Sequence, residues 1–420
     1  FISPFLKPGN DIFRVFFEIF YVLFSHIEDV EIFQNKEDKS MEKYLKFDDQ
    51  VTVLTKHKEL QQYLQFRKEN DVWVQPYIKE TTVVGIEDHP LFLSQYFLSN
   101  GIELNDESNE CVKDTGMFLT FPMNGERKIY PTRHTAFTSI CQRAGLSGPT
   151  ISNFIGTAFK KVLPVTEKAS WLTRGFSLYM QKCKILIRDG KISAMMSNGY
   201  SILPADELVG ALEKELKKEH KDMKMLSATI SHEYLNIEYL LNDKDADSSF
   251  SLLLKDFGLD ENVKTGIGFA TSDVGLSRAY VYPFFMTENG YKTRFGDSAG
   301  VEHEGKNSVD TFVQLLPRVD SLFKEAENQI EKLGNTDIDS ISSTVRNIVD
   351  DNKSLFPKSF AEDVVAALSS QSGTAIDVYL ALNEIVENYI ASRGNDPTLA
   401  LTLKDRLSKY LYINIKKYDC

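Results

Sequence analysis

Two stretches decide the architecture: CKILIRDGKISAMMSNGYSILPADEL at Cys183–Leu208 and GIGFATSDVGLSRAYVYPFFMTENG at Gly266–Gly290. Both read as strand, tight turn, strand. In the first, Cys183–Arg188 is rich in β-branched and apolar residues, Asp189-Gly190 is a hairpin-turn pair, and Ile192–Ser197 continues as a second strand. In the second, Gly266–Thr271 and Ala279–Phe285 flank a polar turn, Ser272–Ser277. Between them, Met225–Ser231 and Tyr234–Leu241 read as another antiparallel pair. Local hairpin connections favour one largely antiparallel sheet for all these segments over parallel crossovers. Ile185, Ile187, Ile192 and Ala194 are expected on its buried face.

Outward from this block, helices are expected on both sides. Lys56–Arg67, His89–Leu98, Pro131–Gly145 and Thr150–Val162 carry helical periodicity. Thr166 reads as the N-cap of a helix over Glu167–Gln181, and Pro204 opens one running through Leu216. Val72–Val74, Thr81–Val84 and Gly116–Phe121 read as strands, the last ending at Pro122, with Asn124-Gly125 as a turn. Asn242–Ser249 reads as an acidic loop, and Phe250–Phe257 fits helix or strand. From Asn307 the pattern turns helical: Val309–Leu333, Ile338–Val349, Phe360–Leu368, Ala375–Ser392 and Leu399–Ile413. The expected fold class is therefore α+β, a central, mainly antiparallel sheet with flanking helices, followed by an all-helical C-terminal region. The regions are residues 1–40, an N-terminal α+β region at 41–165, a central α+β core at 166–306 and the helical region at 307–420.

Phe1–Ser40 differs in character from the rest of the chain. Ile12–Phe24 is apolar but carries Arg14 and Glu18, too short and too charged a run to span a bilayer. Met41 is the expected initiator, with Phe1–Ser40 as translated upstream sequence packed poorly against the rest; the alternative is an amphipathic membrane-surface helix. With 42% hydrophobic and 26% charged residues in 420, the chain has an ordinary globular composition. Its net charge of −12 argues against a surface coated in cations but allows a local basic groove. Cys111, Cys141, Cys183 and Cys420 form no C-x-x-C pair and are expected as reduced thiols in a cytoplasmic protein.

Familiar chemical signatures fail on inspection. Asp243, Asp245 and Asp247 open like a calcium loop, but Ser248 stands where the turn needs Gly and Leu254 where it needs a bidentate Glu. His232-Glu233 begins a zinc-protease pattern, but Asn236 replaces the second His. His220 and His303 are expected at the surface. Gly266-x-Gly268 is followed by Thr271 rather than a third Gly, and no Walker motif occurs. Gly275–Ala279 imitates a nucleophile elbow, but strand rather than helix comes after it. No catalytic residue, metal ligand or cofactor is assigned.

One pattern remains. Arg278, Lys292, Arg294 and Lys306 lie close in sequence, interleaved with Tyr280, Tyr282, Phe284, Phe285, Tyr291 and Phe295. Cations on phosphates and rings under bases are how single-stranded nucleic acid is held. The competing reading places these rings in the core, one face of an alternating strand. In the turn, Ser272 and Asp273 can bond neighbouring backbone amides and Gly275 can take positive φ. Functionally, Ser272, Asp273 and Gly275 would shape one wall of a groove lined by Arg278, Lys292 and Arg294, with an outward Tyr280 or Tyr291 stacking on a base.

Ile192–Tyr200 with Ile202, Asp206 and Glu207, together with Thr271–Gly275, Ala279, Val281, Pro283, Asn289-Gly290 and His303, resembles the phage/plasmid-like family catalogued as domain of unknown function 932. The resemblance covers roughly Thr166–Leu333 and departs at Glu288, where many members have cysteine. It implies carriage on mobile DNA in a bacterial or phage-infected cytoplasm, and it brings no catalytic residues. Three functions compete: single-stranded DNA binding in recombination or replication, a structural protein that binds itself or phage/plasmid proteins through its C-terminal helices, and an enzyme with a dispersed site around Asp273, His303 or Glu304. No membrane partner is expected.

Overall fold

The computed structural model describes Leu45 and residues 50–85, 115–147, 165–257, 262–288, 290–368, 372–394 and 396–419. The expectations for Phe1–Ser40, for the helices at His89–Leu98 and Thr150–Val162, and for Cys111 and Cys420 lie outside these residues. The fold is α+β with antiparallel sheets.

Chain order begins with β1 (Thr52–Leu54), α1 (His57–Asn70), β2 (Val72–Val74) and β3 (Thr82–Gly85). Then come β4 (Met117–Met123), β5 (Glu126–Pro131), α2 (His134–Arg143) and α3 (Val165–Ser177). The first quoted stretch is β6 (Cys183–Arg188) and β7 (Lys191–Ser197), followed by α4 (Ala205–Glu219). Next are β8 (Lys224–Ile230), β9 (Leu235–Leu240) and α5 (Lys244–Asp256). The second stretch supplies most of β10 (Val263–Thr271) and β11 (Ala279–Thr287), with β12 (Lys292–Thr293) and β13 (Ala299–Val301) after it. The helical region holds α6 (Val309–Val313), α7 (Val319–Gly334), α8 (Ile341–Asp351), α9 (Lys358–Ala367), α10 (Ala375–Ser392) and α11 (Pro397–Ser408).

The hairpins form where the turn chemistry dictates. Asp189 and Gly190 both take positive φ, 53° and 69°, as do Asn124 and Gly125, 52° and 82°. Paired positive φ twists a two-residue turn in the sense that its strands need. The expectation of a single shared sheet is incorrect. β8, β9, β10 and β11 belong to a seven-stranded sheet in the order β1-β8-β9-β10-β11-β12, with β13 also on β11; β6 and β7 form a separate sheet with β2. The edges are taken by other strands: β1 covers the outer edge of β8, β12 and β13 cover that of β11, and β2 covers that of β6, so the hairpins do not pair with each other.

The expected common face is incorrect too. Ile185, Ile187 and Ile192 join the core beneath β3–β5, whereas Ala194 lies with Leu186 and Met196 in another cluster. Ile187 pairs with Ile192 and Leu186 with Ala194, which leaves Ser193 as an extra residue. A bulge of one residue reverses which face the next side chains take.

Three other elements differ from expectation. The helix expected from Pro131 starts at His134, because Glu126–Pro131 pairs with β4, which itself runs through Pro122. Thr166 lies inside α3 rather than capping it. Asp243–Asp247 is not a loop but the start of α5: the Asp243 carboxylate accepts from the amides of Asp245 and Ala246, both at 3.1 Å. Acids are favoured there by the helix dipole, which accounts for the calcium-like spacing without a metal.

The core of the C-terminal region is continuous with the seven-stranded sheet. Phe250, Leu254, Val263, Phe285 and Phe295 pack in one cluster with Ile330, Leu333, Ile348, Tyr379 and Leu382. The expected all-helical character has one exception, a two-stranded pair of β14 (Asp337–Ile338) and β15 (Gly373–Thr374). It joins the segments leading into α8 and α10, and Thr374 caps α10 by donating its amide and hydroxyl to Asp377, at 2.8 and 2.9 Å. Among the described residues no helix is long and apolar enough to cross a membrane.

On the other face of the sheet, Tyr280, Tyr282 and Phe284 line up at alternate positions of β11 and face small residues across the ladder: Ala270, Gly268 and Gly266. A Cβ on Gly268 would stand 2.0 Å from the Tyr282 ring, so the close approach requires glycine.

Candidate functional site

Tyr200, the Thr271–Asp273 segment and His303 meet, although β6–β7 and β10–β11 occupy different sheets. Tyr200 comes just after β7, and its hydroxyl lies 3.3 Å from the carbonyl of Ser272 and 3.1 Å from that of Asp273, both of which can accept its proton. Its ring stacks on Trp73 at 5.8 Å and on His303 at 5.1 Å. His303 Nδ1 lies 3.1 Å from the Ser201 carbonyl, which can only accept, so Nδ1 carries the proton. Nε2 then accepts from the Thr271 hydroxyl at 3.2 Å. The expectation of a surface His303 is incorrect: the ring is buried between β10 and the turn after β7, because Ser201 and Gly199 pair with the backbone of His303 and Gly305. His220 is also largely covered, with Nδ1 3.5 Å from Asp243. Gly275 takes positive φ, and any Cβ there would press on Met196 at 2.7 Å.

Behind this junction lies a buried ion network. Arg188, at the end of β6, donates from Nη2 to Asp71 at 2.6 Å and to Asp273 at 2.8 Å, and from Nη1 to the His232 carbonyl at 3.0 Å. Arg67 of α1 pairs with Asp71 at 3.1 Å and with Asp189 at 3.0 Å, and Arg133 lies 3.6 Å from Asp189. Burial alone would lower the pKa of Arg188, but the carboxylates of Asp71 and Asp273 hold it well above its ordinary value. The network joins α1, the β6–β7 turn and the β10–β11 turn. It binds two sheets together and offers no exposed nucleophile. The thiols of Cys141 and Cys183 are pushed up by burial, to about 11 and about 12.

Burial holds the pKa of His303 below its ordinary value, against the opposing influence of Asp273. As pH falls, the unfolded chain therefore takes up this proton first. The histidine contributes stability that is complete above about pH 6.5 and is lost as pH drops below it. Between about pH 7.5 and about pH 5, urea-derived stability should fall less steeply in His303→Gln than in the unmodified chain. Equal slopes would contradict the assignment.

The predicted basic set divides. Arg294 is only 8% exposed, its guanidinium 3.5 Å from the Tyr282 ring centroid. Tyr280 is 4% exposed. Neither faces solvent as expected, because both belong to the packed layer that covers β10. Lys292 is ion-paired with Glu238. Tyr291 is 37% exposed and accepts a hydrogen bond from Asn383 of α10. Lys306 is exposed beside the segment that pairs with Tyr200. Ser272 and Asp273 are spent on the junction: the Ser272 hydroxyl accepts from the Leu276 amide at 3.2 Å.

Arg278 opens on a cleft. Its Nη2 donates to Ser298 at 2.8 Å, and its guanidinium sits 5.6 Å from the Tyr280 ring centroid. The cleft, of about 230 Å³, is walled by Tyr234, Leu276, Arg278 and Tyr280 on one side and by Asp405 and Arg406 of α11 on the other. Sequence reasoning missed Tyr234, Asp405 and Arg406. Arg406 stands far from Arg278 along the chain, and no local pattern marks it; it arrives because Leu401 packs α11 against Tyr280, Tyr282 and Phe284.

Among the described residues no cluster of three His, Cys, Asp or Glu side chains could hold a metal ion. No family model, curated protein or solved structure matches the chain.

Proposed function

We propose that this is a non-enzymatic DNA-handling protein of a mobile element, which holds single-stranded DNA at the cleft between the β10–β11 turn and α11. The observation that carries this reading is the meeting of Arg278 and Arg406, both reaching solvent, beside the partly exposed ring of Tyr234 in a chain of net charge −12. Two guanidiniums outnumber the single carboxylate of Asp405, so the cleft attracts phosphate locally while the rest of the chain repels bulk polyanion. Leu276, half exposed at the rim, adds apolar surface for a base. Of the cations expected to line the groove, Arg278 stays, while Lys292 and Arg294 give way to Arg406. The interaction-protein reading draws less support, since the large exposed apolar side chains of α6–α11 and the turns after them are Val313 and Tyr412 among the described residues. The enzyme reading draws less support: Asp273 pairs with Arg188, His303 is buried, and neither they nor exposed Glu304 lines the cleft.

The test is anisotropy of labelled oligothymidine with the full chain across a salt series. Replacing Arg278 and Arg406 together by alanine should reduce the salt slope by about 0.7 for each phosphate no longer held. Absence of binding at the lowest salt, or equal slopes in both proteins, would overturn the reading.

A further inference from the structure

A second place joins cations to a ring, on the edge formed where residues 76–78 run beside residues 181–183. Tyr77 and Lys182 pair as an isolated bridge, the Ile78 amide donates to the Gln181 carbonyl at 2.9 Å, and the Cys183 amide donates to the Pro76 carbonyl at 3.0 Å. These bonds fix the backbone of the rim while Tyr77 remains 42% exposed. Lys79 Nζ stands 5.8 Å and Lys182 Nζ 5.2 Å from its centroid. Neither ammonium has a carboxylate partner among the described residues. Just before Lys182, Leu178 and Met180 are 79% and 68% exposed.

We infer that this rim is a second contact for single-stranded nucleic acid, with a base stacked on Tyr77 and its flanking phosphates on Lys79 and Lys182. The inference rests on the single-strand reading of the cleft and extends it to a bipartite site. An exposed ring with two unneutralised cations over it presents stacking and charge within the reach of one nucleotide. Leu178 and Met180 supply apolar surface of the kind unstacked bases cover. A flat anionic membrane would meet the field of the whole acidic chain, whereas a flexible strand meets only the local charge.

The experiment compares the full chain with Tyr77→Ala, with Lys79→Ala/Lys182→Ala and with Arg278→Ala/Arg406→Ala, using labelled oligothymidine and, separately, vesicles containing anionic lipid. All the rim changes are at exposed positions, and Tyr77→Trp serves as the conservative variant that keeps a ring. Tyr77→Ala should weaken oligonucleotide binding by about 5- to 150-fold, with Tyr77→Trp near the unmodified level. The double lysine variant should lower the salt slope. Rim variants that bind like the unmodified chain, while the arginine variant is weakened, would overturn the rim and leave the cleft standing. Weakening by the rim variants alone would support the rim and overturn the cleft. Failure of the unmodified chain to bind would overturn both. Capture by vesicles that disappears in Leu178→Ser/Met180→Ser, with oligonucleotide binding unmoved by the rim variants, would assign the rim to a lipid surface instead.

Discussion

Arg188→Ala should lower folding stability by about 3–5 kcal/mol, the range for removing one partner of a buried ion pair. The loss has three parts. Asp273 loses its guanidinium partner at 2.8 Å, Asp71 keeps only Arg67, and the His232 carbonyl loses its donor at 3.0 Å. A buried acceptor left unmade costs more than the bond contributed while formed. Arg188→Lys should recover less than half, since one ammonium on a flexible stem cannot serve two carboxylates and a carbonyl in fixed directions. Urea denaturation followed by circular dichroism measures both. A loss below about 1 kcal/mol for Arg188→Ala would place the bond between the sheets in apolar packing, not in this network.

Gly268→Ala should cost about 3 kcal/mol, the upper end of ordinary overpacking. Glycine in a strand interior normally weakens it, so alanine at an open position would help. Here the added Cβ would stand 2.0 Å from Tyr282 Cζ. The ring is hard to displace: the Arg294 guanidinium lies 3.5 Å from its centroid, and its hydroxyl donates to Asn236 at 2.7 Å. In a Tyr282→Ala background the same substitution should cost almost nothing, so the two changes should be strongly non-additive. Additive losses, or a single-variant loss within about 0.5 kcal/mol, would show that the ring yields.

Both expectations concern features that the chain declares only in part. Local conformation was legible. Asp189-Gly190 and Asn124-Gly125 announce hairpins because positive φ at two successive residues is a property of the residues themselves. The spacing of Leu322, Ala326, Ile330 and Leu333 announces the buried stripe of α7 because a helix repeats its face every three to four residues. The alternation of rings in β11 was legible as well, and so was the competing placement of those rings in the core.

The remaining features came from contacts across space. Which sheet β6 and β7 join depends on β2 reaching the edge of β6, and backbone hydrogen bonding at an edge accepts any strand that arrives. The face of Ala194 depends on one unpaired residue, Ser193. The charge of Arg294 was legible, but its stacking beneath solvent on Tyr282 was not, because a cation can be buried wherever a ring and a carboxylate surround it. Arg406 joins Arg278 through the packing of Leu401. Turns, periods and the α+β class depend on neighbours along the chain, and so they could be read from residue order. The sheet edges, the buried ion network and the cleft depend on partners distant in the chain, and apolar packing and long-range charge pairing leave no spacing to read.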